Sequence, residues 1–280
     1  MGLVPTASIV CMGISALAGV AIPVVLFIVL RKKTKADILP FFIGCAVMFL
    51  FALVLEALIH QLVLLVSPAG PVIRGNIWLY ALYGGLMAGL FEETGRFLAF
   101  KTVLKKRLQN DDNALMYGAG HGGFEALAVF GSTMISYLVL SVMINTGNIS
   151  AVTEGLTGDT LTQMEEMLRT LSSTESPMWL VGILERLIAV ALHMALSVFV
   201  WFAAKNAGRW YYYPVAILIH AAVDAVAVLL PSSFGLPTVA VEGVFAVCTA
   251  LVVLLARRVW KQNVLQENEQ PPEGDEQYVL

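Results

Sequence analysis

The stretch GGLMAGLFEETGRFLAF, residues 84–100, places two adjacent glutamates and an arginine inside a run otherwise suited to lipid. An ionised side chain in hydrocarbon is costly unless it is paired or hydrated, so Glu92, Glu93 and Arg96 need partners. Helical spacing supplies the first of these. Arg96 follows Glu93 by three residues and Glu92 by four, and can fold back onto either carboxylate.

The rest of the chain shows why the run is a membrane helix. Of 280 residues, 58% are hydrophobic and 13% charged, and the mean hydropathy is +0.80, outside the range of ordinary soluble domains. Seven segments are apolar over the length a helix needs to cross a hydrocarbon core, about 20 residues. They lie near 8–30, 38–66, 77–100, 114–145, 178–204, 211–231 and 237–256. Unbroken apolar runs exclude a β-barrel, whose strands alternate. The expected fold class is all-α, a polytopic bundle of about seven transmembrane helices.

Basic residues orient the bundle, because Lys and Arg are retained on the cytoplasmic side. Thirteen of the 17 fall after alternate segments: Arg31 to Lys35, Lys101 to Arg107, Lys205 with Arg209, and Arg257 to Lys261. This pattern predicts a multi-pass protein of the plasma membrane with its N-terminus outside and its C-terminus cytoplasmic. Met1 to Ile9 carries no positive charge, so the first segment is expected to stay as a helix. Cys11, Cys45 and Cys248 have no pairing spacing and read as packing residues. No basic patch with interleaved aromatics occurs, so no nucleic-acid partner is expected.

Residues 1–261 read as a single transmembrane domain with its core in 77–231, followed by a polar, acidic tail, 262–280, expected to be disordered. The outer loop 146–177 contains a stretch from Thr160 to Leu171 with apolar residues at helical spacing. One amphipathic helix resting on the bundle is predicted there.

Further ionisable residues fall within the spans: His121 and Glu125, then Glu185, Arg186 and His193, then His220 and Asp224. Spacings of four (His121 to Glu125, His220 to Asp224) and seven (Arg186 to His193) give each helix one polar face. Turning four such faces together around a hydrated cavity satisfies them all, in the cytoplasmic half and opening that way. Gly84, Gly85, Gly89, Gly118, Gly120 and Gly122 would let those helices approach closely. Glu56 and His60 read as a local structural pair near the outer end. Glu185 and Arg186, being adjacent, are expected to bind different helices.

Carboxylates facing histidines around water form a general acid/base apparatus, and a neighbouring cation can stabilise an oxyanion. Peptide hydrolysis is the natural reaction. No GxSxG, HExxH or GxGD is present, so serine, zincin and aspartyl mechanisms lack their motifs. Two other classes remain open: a zinc-dependent hydrolase using His121, Glu125, His193 and His220, and a proton-coupled transporter or binding protein. The missing internal repeat weighs against the transporter.

EETGR (92–96), GHGGFEA (120–126), ERLIAVALH (185–193) and HAAVD (220–224) together resemble the YhfC family of glutamic-type intramembrane proteases. That family is placed in the CAAX-protease and bacteriocin-processing superfamily, and the pattern is similar to PrsW-type proteases. The resemblance implies a four-helix catalytic core in which Glu92 activates water, Glu93 stands beside it and Arg96 orients the pair. Glu125 matches the second motif; His220 and Asp224 match the third and are implied to bind and orient the oxyanion. His193 and Glu185 match the YhfC pattern, while His121 is an additional candidate base or ligand. A membrane-associated protein or peptide is the implied substrate, with no cofactor expected and zinc as the alternative.

Overall fold

The computed structural model describes residues 2–269, which are helical and form no strand. The long helices are α1 (Thr6–Lys33), α2 (Leu39–Val66), α3 (Ile77–Lys101), α4 (Asp112–Asn145), α5 (Gly158–Ser173), α6 (Met178–Lys205), α7 (Tyr212–Phe234) and α8 (Thr238–Glu269). Among the described residues, α1, α2, α4, α6, α7 and α8 are long and apolar enough to cross a membrane. Helix α3, of 25 residues, is long enough too. Only its Glu92, Glu93 and Arg96 set it apart, and all three side chains are buried. The chain is a polytopic helical bundle.

Local chemistry sets the helix ends. Asn76 caps α3 by accepting from the backbone N–H groups of Trp78 and Leu79 at 3.0 and 3.2 Å, satisfying donors that the first turn leaves free. Gly235, at φ 64°, closes α7 in the left-handed conformation that glycine tolerates. In the insert 146–177, α5 lays Leu168 and Leu171 against Val4, Phe130 and Trp179, so the expected amphipathic helix does rest on the bundle. Helix α8 runs to Glu269, through the first residues of the stretch expected to be a tail. Residues 270–280, the rest of that expected tail, lie outside the described residues.

Helix α6 is the axis of the bundle, and every residue from Ala195 to Ala204 is buried. Helix α4 reaches it through a glycine: a Cβ on Gly118 would stand 2.6 Å from the Met194 Cα. Helix α3 meets α7 in the same way, a Cβ on Gly89 falling 2.6 Å from the Ile217 carbonyl oxygen. Such contacts admit only glycine and bring polar side chains on adjacent helices within bonding range. Two spans also carry π-type turns, at Met48–Glu56 in α2 and at Ala126–Gly131 in α4. These wide turns recur at functional sites, and here one ends at Glu56 and the other begins just after Glu125.

The end of the bundle that carries the basic loops is tied together. Asp37 pairs with Arg107 at 2.8 Å and exchanges hydrogen bonds with Asn113, and Asp111 accepts from Lys205 and from the Trp201 indole, both at 2.8 Å. The Arg107 guanidinium bonded to Asp37 holds its carboxyl below the usual carboxylate range.

Candidate active site

Four helices place the polar side chains in one layer. At about 1.5 Å per residue, Glu92 and His121 each lie about 14 Å from the basic ends of their helices. His193 and His220 approach the same depth from α6 and α7, their rings 5.3 Å apart, and His121 stands 4.9 Å from His193. The expected depth, in the half nearer the basic loops, agrees with this placement.

Arg96 and Glu93 are both fully buried, and Nη1 of the arginine donates to Glu93 Oε2 at 2.5 Å. The other Glu93 oxygen accepts from His220 Nδ1 at 2.8 Å. A carboxylate only accepts, so the His220 proton sits on Nδ1. Its Nε2 then faces Glu92 Oε2 at 4.0 Å and Asp224 Oδ2 at 3.5 Å. The same logic fixes His193. Arg96 Nη2 lies 3.2 Å from Nδ1 and can only donate, so Nε2 carries the proton and gives it to Glu125 Oε2 at 2.9 Å. His193 Nδ1 keeps a lone pair, 3.8 Å from Glu92 Oε2.

Glu92 is the hub. Its Oε2 accepts from His121 Nε2 at 2.8 Å, while His121 Nδ1 is buried without a partner. One donor atom each from Glu92, His121 and His193 lie within 4.8 Å of one another. The zinc-ligand set expected from sequence was His121, Glu125, His193 and His220; the converging group shares His121 and His193 with it and has Glu92 as its carboxylate. Glu125 stands behind His193 and is gripped by Arg186 at 2.5 Å. His220 is held against Glu93.

All eight expected site residues, Glu92, Glu93, Arg96, His121, Glu125, His193, His220 and Asp224, therefore join one network. Arg186 reaches Glu125 on another helix, as expected, and also bonds its own neighbour Glu185, because the long guanidinium reaches back. Two residues were missed as members of the site. Tyr117 lies under the Arg96 guanidinium, 5.9 Å from ring centroid to Cζ. Glu56, read only as a local pair with His60, does bond it at 3.1 Å, but also lies within electrostatic range of Glu92, His220 and Asp224. The four-residue step to His60 was readable; the direction in which the pair points was not.

Packing around the layer is one-sided. One turn toward the basic end stand Phe100, four residues after Arg96, and Tyr117, four before His121. With Trp201 they are wholly buried, ring centroids 4.6 and 5.0 Å apart. One turn the other way, side-chain exposure rises to 18% at Glu125 and 37% at Asp224. An aromatic layer thus lies between the site and the basic side, toward which the cavity was expected to open, and burial eases toward the insert.

The chain matches the family model described as YhfC intramembrane metalloprotease over residues 18–246. It is 33% identical over 263 residues to the "Uncharacterized membrane protein YhfC" of Bacillus subtilis (strain 168), a match covering 92% of this chain and 100% of that relative. No solved structure matches it. The family description names a metalloprotease, where the sequence resemblance implied a glutamic type without a cofactor. With the matched region running through all four polar helices, the chain belongs to the YhfC intramembrane metalloprotease family.

Proposed function

We propose that this protein hydrolyses a peptide bond in a membrane or membrane-adjacent polypeptide, with Glu92, His121 and His193 holding a divalent metal, zinc by the nature of the donors. The observation that carries this reading is the convergence of those three groups with Glu125 bonded behind His193. One carboxylate and two imidazoles form a familiar catalytic zinc set that leaves a position for water. A ligand histidine whose second nitrogen donates to a carboxylate is the usual outer-shell support. The His121–Glu92 hydrogen bond and the Arg96 bond to His193 Nδ1 are the contacts a metal would replace, with the His121 proton moving to the unpartnered Nδ1.

Zinc so held would polarise the peptide carbonyl and make its water acidic. The remaining groups belong to the chain. Glu125 and Arg186 fix the His193 ring so that Nδ1 presents its lone pair. Arg96, neutralised by Glu93, brings positive charge to where a tetrahedral oxyanion would form. His220, its Nδ1–H anchored on Glu93, turns Nε2 toward Glu92 and Asp224, a position from which it can exchange a proton with Glu92 and pass one to the leaving amine.

A second reading, the metal-free glutamic mechanism, is favoured by the same His121–Glu92 bond, which holds the Glu92 carboxylate oriented as a base. Purified protein separates the two. The metal reading expects about one zinc per chain, as a single catalytic site requires, lost in Glu92→Gln, with cleavage abolished by chelator and restored by zinc. Cleavage indifferent to chelator but lost in Glu92→Gln transfers the chemistry to glutamate. Full activity in Glu92→Gln overturns both.

A further inference from the structure

We infer that the active site is reached from the face that bears the 146–177 insert, along a polar path that climbs from Glu92 past Asp224 and Glu56 to His60 and Tyr83. The direction of approach concerns the molecule alone. Its consequence for substrates rests on the proposed proteolysis.

Helices α3, α6 and α7 loosen from the basic end toward the insert. Toward the basic end, one turn from the layer, stand Phe100 on α3, Tyr117 on α4 and Ala216 on α7, each 0% exposed, and on α6 the buried Ser197. Ser197 donates to the His193 carbonyl at 2.8 Å and leaves no polar hydrogen to guide water. Trp201 and Leu104, also 0% exposed, back this layer. Toward the insert the positions loosen. On α3, Ala88 and Gly84 are half-buried, and a Cβ placed on Gly84 meets nothing within 4 Å. On α6, Ala189, Arg186 and Glu185 are half-buried, and on α7 every residue from Asp224 to Leu230 is.

From Glu56 outward the path is hydrogen-bonded. Glu56 Oε1 meets His60 Nε2 at 3.1 Å, and His60 Nδ1 meets the Tyr83 hydroxyl at 3.0 Å, joining α2 to α3. A carboxylate, an imidazole and a phenol in succession are costly against lipid unless water or a ligand visits them. Hydrolysis consumes water at a buried centre, and Glu56, His60 and Tyr83 on this side form a connected run of groups that hydrogen-bond it. With the basic loops in the cytoplasm, the path opens outside the cell. The substrates are then polypeptide segments presented from the outer side of the membrane, rather than cytoplasmic chain ends.

Thiol labelling tests the route without any need for catalysis. On full-length protein whose Cys11, Cys45 and Cys248 are alanine, Gly84→Cys and Val228→Cys report the path. Glu154→Cys in the insert and Lys33→Cys in a basic loop identify the two faces. A charged, membrane-impermeant thiol reagent is applied to right-side-out and to inverted vesicles. Modification of Gly84→Cys and Val228→Cys is expected only in the orientation that labels Glu154→Cys. Labelling in the orientation that modifies Lys33→Cys, or no labelling of either path cysteine in either orientation, overturns the proposal. Retained labelling with no cleavage by the parent protein would instead count against the protease reading, so the two failures are distinguishable.

Discussion

At the scale of single residues, the site is a set of charges that hold one another. Arg96 and Glu93 have no exposure, so removing one strands the other in a medium that cannot solvate it. By the usual cost of breaking a buried pair, Arg96→Met should destabilise the protein by about 3–5 kcal/mol. The double variant Glu93→Gln with Arg96→Met should recover most of that loss. Denaturant unfolding in detergent would measure both, and a double variant as unstable as the single would mean that Arg96 acts through packing on Tyr117 rather than through charge. Partners within one helix were legible from sequence because i,i+3 and i,i+4 spacing fixes a shared face, as for Glu93 with Arg96 and His220 with Asp224. Partners between helices were not. Nothing in the spacing of His193 says that its ring bonds Glu125 through one nitrogen while the other faces Glu92.

At the scale of elements, glycines and wide turns decide which faces meet. Glycine to alanine normally favours a helix by about 1 kcal/mol, but a methyl on Gly118 would stand 2.6 Å from the Met194 Cα, against backbone that cannot rotate away. Gly118→Ala should therefore destabilise, by about 1–3 kcal/mol as overpacking does, and lower catalytic rate by separating His121 from His193. Thermal unfolding that is unchanged or improved would mean that α4 and α6 can shift apart freely. The position and length of each span were readable from hydropathy, and so was α5 from its apolar spacing. Glu56 escaped because face arguments assume 3.6 residues per turn, and the i→i+5 bonding over Met48–Glu56 rotates everything that follows it. Helix α3 carried its own warning, since its glutamates depart from the lipid pattern that the other six spans obey.

At the scale of the whole molecule, the basic end is knitted and the insert end is open. The Asp37–Arg107 pair clamps two loops of the knitted end. Because the carboxyl pKa is lowered, the pair contributes in full above the ordinary carboxylate pKa of about 4, and the contribution fades as pH falls through the lowered value. Asp37→Asn should thus cost under about 1 kcal/mol near neutrality, in keeping with a half-exposed pair, and the gap to the parent should close in acid. A gap that persists at low pH would assign the effect to the Asn113 hydrogen bonds instead. Six apolar spans and the alternation of basic loops followed from the sequence, while the aromatic layer did not, since Phe100, Tyr117 and Trp201 look like ordinary apolar residues until three helices bring their rings together.

That aromatic layer has an energetic meaning for the cell as well as a geometric one. A chain of carboxylates and imidazoles running through a bilayer would conduct protons and discharge the gradient the membrane exists to keep. On the proposed one-sided route, the layer of rings stops the same chain, which then wets from one side and passes no current. In proteoliposomes bearing a pH gradient the parent protein should be as tight as bare lipid, and Phe100→Ala, which opens the layer beneath Arg96, should let the gradient decay.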